Sequence, residues 1–288
     1  MIFKAISQVQ LHHYPIYALA QDGAMLFTAS SDGTVKKFNL DQFALEPFTV
    51  RTSNSCISLH VLQNGWLCLG LLNGDFHIIN PTTNQEIFSY SFGEKGVFSI
   101  DSSSELGHLY IGLSSGKIAV IAIDTLALLF WDPVASDKIR SVIWSYEHQR
   151  LFVSSKDGSI ALFNPTTWEV EQSWIGHEMG TNALVLTKDG RCISGGKDGF
   201  LRIWGNDDWH MEHAFPAHRG VIYSMEVMGN FLVTASRDKS IKIWSIDDYS
   251  PLQKLNGHRQ SVNVIMQQNE HSFVSVSDDG SLILWSNA

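Results

Sequence analysis

The chain has 288 residues, 44% of them hydrophobic, and a formal net charge of −9, an acidity that argues against general nucleic-acid binding. Its three cysteines, Cys56, Cys68 and Cys192, show neither CxxC spacing nor an even framework, so a disulfide scaffold and a zinc site do not fit and a reducing compartment does. No apolar run approaches the roughly 18 residues of a membrane span, and the start lacks a signal peptide's apolar stretch, so a cytoplasmic protein without membrane contact is expected.

Taken in order, the chain opens with a strand-like run, Ile2 to Val9, that belongs to no complete unit. Seven similar units follow, each with a polar turn, an alternating stretch and a bulky end. These segments are Asp32-Gly33 to Phe38, Asn73-Gly74 to Ile79, Ser115-Gly116 to Ile121, Asp157-Gly158 to Phe163, Asp198-Gly199 to Trp204, Asp238-Lys239 to Trp244 and Asp279-Gly280 to Trp285. Their ends are spaced by 41, 42, 42, 41, 40 and 41 residues. A period near 40 built of strands means a radial or stacked repeat architecture.

The sixth unit shows the content of one repeat. Val221 to Val227, Phe231 to Ser236, Ser240 to Trp244 and Leu252 to Leu255 alternate as short strands between polar turns. One such sheet cannot bury both of its faces; several packed side by side can. The seventh unit has no fourth strand after Trp285, and the opening run is expected to supply it, beside Ser281 to Trp285. An unpaired edge there would template aggregation. The expected fold class is all-β: a seven-bladed β-propeller of four-stranded antiparallel sheets, closed by the N-terminal strand joining the C-terminal blade. One domain, 1–288, is expected.

Three units share four residues at constant spacing: His177, Ser194, Asp198 and Trp204; His218, Thr234, Asp238 and Trp244; His258, Ser275, Asp279 and Trp285. A fourth set, His12, Thr28, Asp32 and Phe38, changes only the aromatic. In each, the Asp stands six residues before the aromatic and the hydroxyl residue ten before it. In this constellation and its period the chain resembles the WD-repeat β-propellers over essentially its whole length. The resemblance implies buried structural tetrads, in which the histidine bridges Asp and hydroxyl and the hydroxyl meets the indole. Units two to four depart from it. Thr52, Gly93 and Ala135 stand where the histidine would, and units two and three also lack the Asp and the Trp. Their geometry is the open question of the fold.

Several apparent chemical motifs read as structure. Ser194, His177 and Asp198 resemble a nucleophilic triad, but the set occurs three times and an enzyme needs one. Ser194 to Gly199 lacks Walker spacing and a following helix, and reads as a hairpin turn. His210 and His213, three apart in a strand, would face opposite ways. They are grouped with His13, His60, His77, His108, His148 and His271 as incidental surface residues. Asp207-Asp208 and Asp247-Asp248 read as solvated turns. No catalytic residue, metal or cofactor is assigned.

Function is then a matter of surface. The resemblance implies docking on the face that carries the loop before the first strand and the turn with the Asp. Two positions per unit would point there: Tyr17, Ile57, Phe98, Arg140, Asn182, Tyr223 and Asn263, and Ser31, Leu72, Ser114, Lys156, Lys197, Arg237 and Asp278. Arg140, Lys156, Lys197 and Arg237 come from units four to six, with Tyr223 among them and Tyr17 and Phe98 elsewhere on the rim. Tyr and Arg are enriched at binding centres. The expected function is a non-catalytic scaffold for a protein or peptide partner, with an acidic segment docking on this basic arc and a monomer as the default state. The alternatives are a small-molecule or enzymatic propeller using the central mouth, which requires acids, bases or metal ligands converging at the inner strands, where the sequence shows no such convergence, and a phospho-ligand or nucleic-acid binder.

Overall fold

The computed structural model describes residues 2–287; Met1 and Ala288, the ends of the expected domain, lie outside them. The described residues form 28 strands and no helix, hence no helix long and apolar enough to cross a membrane. The strands assemble into seven four-stranded antiparallel sheets. They fall into two compact units, one spanning Tyr17–Ile175 and the other joining the residues up to Ile16 to those from Gly176 on.

In the first unit four sheets follow in chain order. They are Ile16–Asp22, Met25–Ser30, Thr34–Asn39 and Ala44–Arg51; Cys56–Val61, Leu67–Leu71, Asp75–Asn80 and Gln85–Ser91; Val97–Ser103, His108–Leu113, Lys117–Ala122 and Leu128–Pro133; and Ile139–Ser145, Arg150–Ser155, Ser159–Asn164 and Glu169–Ile175. The other unit holds the fifth sheet, Thr181–Leu186, Cys192–Gly196, Phe200–Trp204 and Met211–Pro216. The sixth is Ile222–Met228, Phe231–Ser236, Ser240–Ser245 and Pro251–Asn256. The seventh contains Val262–Asn269, Ser272–Ser277 and Ser281–Ser286, and its fourth strand is Lys4–Gln10 from the start of the chain.

That last pairing runs from Lys4 opposite Ser286 to Gln10 opposite Ser281, with a bulge between Ala5 and Ser7. It bears out the expected N-terminal strand. Phe3 anchors it: the ring is buried against Phe231 and Phe273. Its amide donates to Gln253 Oε1 at 2.9 Å, and Gln253 Nε2 donates to its carbonyl at 2.8 Å.

Burial follows strand position. The second strands are buried almost throughout and combine apolar residues with small Ser, Thr and Gly, whereas the fourth strands are exposed edges. Apolar residues of neighbouring sheets interdigitate. One cluster joins Val233, Ile241 and Leu255 of the sixth sheet to Val262, Phe273 and Trp285 of the seventh. Each such side chain contributes about 1.5–3 kcal/mol.

The turn before the third strand is a second recurrent device. Gly33, Gly74, Gly116, Gly199 and Gly280 take positive φ. The carbonyl of each accepts an amide from the chain entering a neighbouring sheet: Thr52, Phe92, Val134 with Ala135, Ala217 with His218, and Leu11 with His12. A Cβ on Gly199 would stand 2.3 Å from the His218 carbonyl oxygen, so side chains are excluded there by both conformation and space.

Candidate docking face

The docking positions arise from a β-bulge at the start of the first strand. In six sheets the pairing with the second strand skips one residue: Ile57, Phe98, Arg140, Asn182, Tyr223 and Asn263. A bulge leaves that residue outside the ladder and re-aims its side chain. The residue ahead of the turn is tied to the same place. The amides of Leu72, Ser114, Lys156, Lys197, Arg237 and Asp278 donate to Ser55, Gly96, Lys138, Gly180, Val221 and Ser261 at 2.9–3.0 Å. Each acceptor directly precedes its first strand, so the two expected positions of every one of these sheets are brought together. In the seventh sheet they bond directly, Asn263 Nδ2 to Asp278 Oδ1 at 2.8 Å.

In the first unit Phe98 is not separate from the cations. Lys138 Nζ lies 4.3 Å and Arg140 Cζ 5.4 Å from its ring centroid. Lys156 is exposed and pairs with Asp137 at 2.8 Å. Burial pushes the Lys138 ammonium below its ordinary range, and the charges of Arg140 and Lys156 push it further. Asp137 is held below the usual carboxylate range by the Lys156 hydrogen bond. Lys138 was missed from sequence; its signal is its place one residue ahead of a first strand. Tyr17 belongs to the same unit and is 37% exposed. In the other unit Lys197 and Arg237 are exposed and Tyr223 is half-buried.

The three complete tetrads form as expected. Trp204 Nε1 donates to Ser194 Oγ at 2.9 Å, Ser194 Oγ meets His177 Nε2 at 2.9 Å, and His177 Nδ1 meets Asp198 at 3.0 Å. The sixth sheet repeats this with Trp244, Thr234, His218 and Asp238 at 3.0, 2.8 and 3.0 Å. In the seventh, Trp285 and His258 hold Ser275 at 2.8 and 2.7 Å, and His258 Nδ1 is 3.4 Å from Asp279. A consistent proton arrangement puts the imidazole hydrogen on Nδ1 toward the carboxylate, so Nε2 accepts from the hydroxyl and the hydroxyl accepts from the indole. Each hydroxyl is saturated and fully buried, which makes the set a structural latch. Arg202 adds a bond to Asp198 at 2.8 Å. In the fourth set, His12 and Thr28 are buried, and Asp32 Oδ1 accepts from the Thr34 amide and hydroxyl.

The degenerate sheets carry substitutes. In the fourth, Asp157 accepts the Ser136 amide at 2.8 Å and hydroxyl at 2.7 Å, where the histidine is missing. In the third, the carboxylate comes from the other side: Glu94 accepts from the Ser115 hydroxyl and pairs with Lys117 at 3.1 Å. At the second, the Thr52 hydroxyl donates within reach of the Gly33 and Asn54 carbonyls, at 2.8 and 2.7 Å.

One expectation is corrected: His60 is not an incidental surface residue. Its Nε2 lies 2.8 Å from Ser102 Oγ and its Nδ1 3.9 Å from Asp101 Oδ1. Burial pushes His60 below and Asp101 above their ordinary values, each partly offset by the other.

The family "WD domain, G-beta repeat" matches residues 4–39, 133–164, 168–205, 209–245 and 249–286, more than half of the chain. The unmatched 40–132 hold the second and third sheets. The chain is similar to part of apoptotic protease-activating factor 1 of Rattus norvegicus, 23% identical over 270 residues, covering 92% of this chain and 21% of that protein. It is similar to part of the kinesin-like protein KIF21B of Mus musculus, 23% identical over 315 residues, covering 96% of this chain and 18% of that protein. The chain thus spans about a fifth of the length of these relatives. Among solved structures it is similar to the WD40 beta propeller domain of Doa1, with a TM-score of 0.88 at 16% identity, over 99% of this chain and 97% of that one. That likeness establishes the fold as a β-propeller.

Proposed function

The chain belongs to the WD domain, G-beta repeat family, whose propellers generally bind protein partners, and from that premise we propose that it is a scaffold that docks an acidic peptide or protein segment on its bulge-and-turn face, a face that itself performs no catalysis. The observation that carries this reading is the placement of Lys138 and Arg140 over the Phe98 ring, with Lys156 paired to the neighbouring Asp137, on a chain of net charge −9. An aromatic ring under clustered cations offers both buried area and charge to an incoming carboxylate. Lys197, Arg237 and Tyr223 hold the same positions in the other unit and extend the reading to it. One domain over 1–288, a monomer without cofactor, and a cytoplasmic location complete the proposal.

The test is affinity capture with Lys156→Glu, Lys197→Glu and Arg237→Glu combined. Losing three charge contacts of about 0.5–1 kcal/mol each, and replacing them with repulsion, is expected to lower partner recovery at least about tenfold. Thermal unfolding should move little, because these side chains are exposed. Undiminished recovery of the same partner by the folded triple variant refutes the site.

A further inference from the structure

The His60, Asp101 and Ser102 cluster differs from the tetrads in the properties that matter for reactivity. In the flanking sheets it is not repeated: in the first strands of the first and fourth sheets the equivalent residues are Ala20 and Ile143. Ser102 is half-buried rather than sealed. Its hydroxyl oxygen takes no indole N–H, so its lone pairs are not consumed as those of Ser194, Thr234 and Ser275 are. It also borders a cavity of about 310 Å³, whose lining includes Leu62, Gln63, Asn64, Ser104 and Asp124.

The carboxylate beside the base is held in place. Asp101 is fixed by two amides, Ser102 N–H to Oδ1 at 2.8 Å and Trp144 N–H to Oδ2 at 2.7 Å. Its Oδ1 stands 3.9 Å from His60 Nδ1, beyond hydrogen-bond reach, so its charge rather than a bond favours a proton on Nδ1, which leaves the Nε2 lone pair facing the Ser102 hydroxyl. Burial pushes the imidazole below its ordinary pKa, an effect the Asp101 charge partly offsets. Unligated sites often hold such contacts long.

We propose that Ser102 is an activated nucleophile, with His60 as its general base, that accepts an acyl or phosphonyl group from small uncharged donors entering this cavity. With an ester, the Oγ–C bond forms, the bond to the departing alkoxide breaks, and the serine proton passes through His60 Nε2 to that oxygen. Water then cleaves the acyl-serine and restores the hydroxyl. No Lys or Arg lines the cavity, and Asp124 does, so anionic donors are disfavoured. This site is independent of the docking face and goes beyond the scaffold role.

The test is incubation of the folded chain with an uncharged alkyl fluorophosphonate, read by intact mass and peptide mapping. Displacement of fluoride by Oγ should give one adduct, mapping to Ser102. Ser102→Ala should remove it. His60→Gln should slow it about a hundredfold, the usual worth of a general base. Asp101 acts as a positioning residue: its charge raises the His60 pKa, so Asp101→Asn should move the midpoint of the labelling pH profile to lower pH. Partner capture by these variants should be unchanged, which separates this site from the docking reading. No adduct, adducts spread evenly over several serines, or a His60→Gln rate equal to the parent's overturns the proposal. The mapping on the unmodified chain decides the matter even where a variant fails to fold.

Discussion

Replacing Thr234 by Val tests whether the latches stabilise the sheets. The hydroxyl is fully buried and serves two close partners, Trp244 Nε1 at 3.0 Å and His218 Nε2 at 2.8 Å, besides a longer contact to the Lys242 carbonyl at 3.4 Å. Valine keeps the shape, so no cavity opens. What changes is that two buried polar groups lose their partner, at about 1–3 kcal/mol each. Burying a methyl in place of the hydroxyl returns about 1 kcal/mol. The expected net loss is about 3 kcal/mol, or roughly 5 °C in Tm for a chain of this size. Calorimetry and urea unfolding followed by tryptophan fluorescence read it directly. Ser154→Ala is the internal control. That hydroxyl is also fully buried but has no hydrogen-bond partner, so its removal should cost less than about 0.5 kcal/mol or stabilise. In a Trp244→Phe background the Thr234→Val loss should shrink by about half, because one of its two partners has gone. A Thr234→Val loss below about 0.5 kcal/mol, or a Ser154→Ala loss as large, refutes the reasoning.

Two further outcomes follow from single residues. Lys239 holds φ 71 in the turn where the other sheets place glycine, so Lys239→Gly should raise stability by about 0.5–1 kcal/mol in urea unfolding; destabilisation would mean that its side chain, not its backbone, matters. Burial pushes the Glu226 carboxyl up to about 7 from an ordinary value of 4.5. Its contribution is therefore whole below pH 4.5 and lost as pH rises through 7, by up to about 3 kcal/mol. Glu226→Gln should match the parent near pH 4.5 and exceed it in Tm at pH 8, and parallel Tm–pH curves would exclude this role for the residue.

The fold was legible because each sheet repeats the same local rules. The spacing of His218, Thr234, Asp238 and Trp244 is the register of one sheet, and that register is what places the four side chains together. The opening strand was legible by subtraction, from a seventh unit short of one strand. The bulges at Phe98 and Arg140 were not, since a skipped residue is a property of pairing and leaves no mark in an alternating run. The Glu94 and Ser115 latch was hidden because the carboxylate moved from the turn to the preceding loop, outside the template. His60 and Asp101 did leave a signal: they are 41 residues apart, one repeat, and so occupy equivalent places on neighbouring sheets. Read singly, each was an ordinary polar residue.

The substitutes also bear on the proposed docking face. A surface that must order itself on binding loses part of its affinity to that ordering. The fourth sheet lacks the histidine, yet Asp157 still closes its turn against Ser136, and the Lys156 amide is still tied to Lys138 at 2.9 Å. In the sixth sheet, with its complete tetrad, the Arg237 amide is tied to Val221 at the same 2.9 Å. The backbone under Arg140 and Lys156 is therefore held like that under Tyr223 and Arg237, although only the latter sits on a complete tetrad. What each sheet keeps is an acceptor that closes the turn against the entering loop, and several residue combinations supply it. Side chains on the face are then free to differ from sheet to sheet while their anchoring stays constant, which is the condition for a binding surface whose specificity is written in those side chains alone.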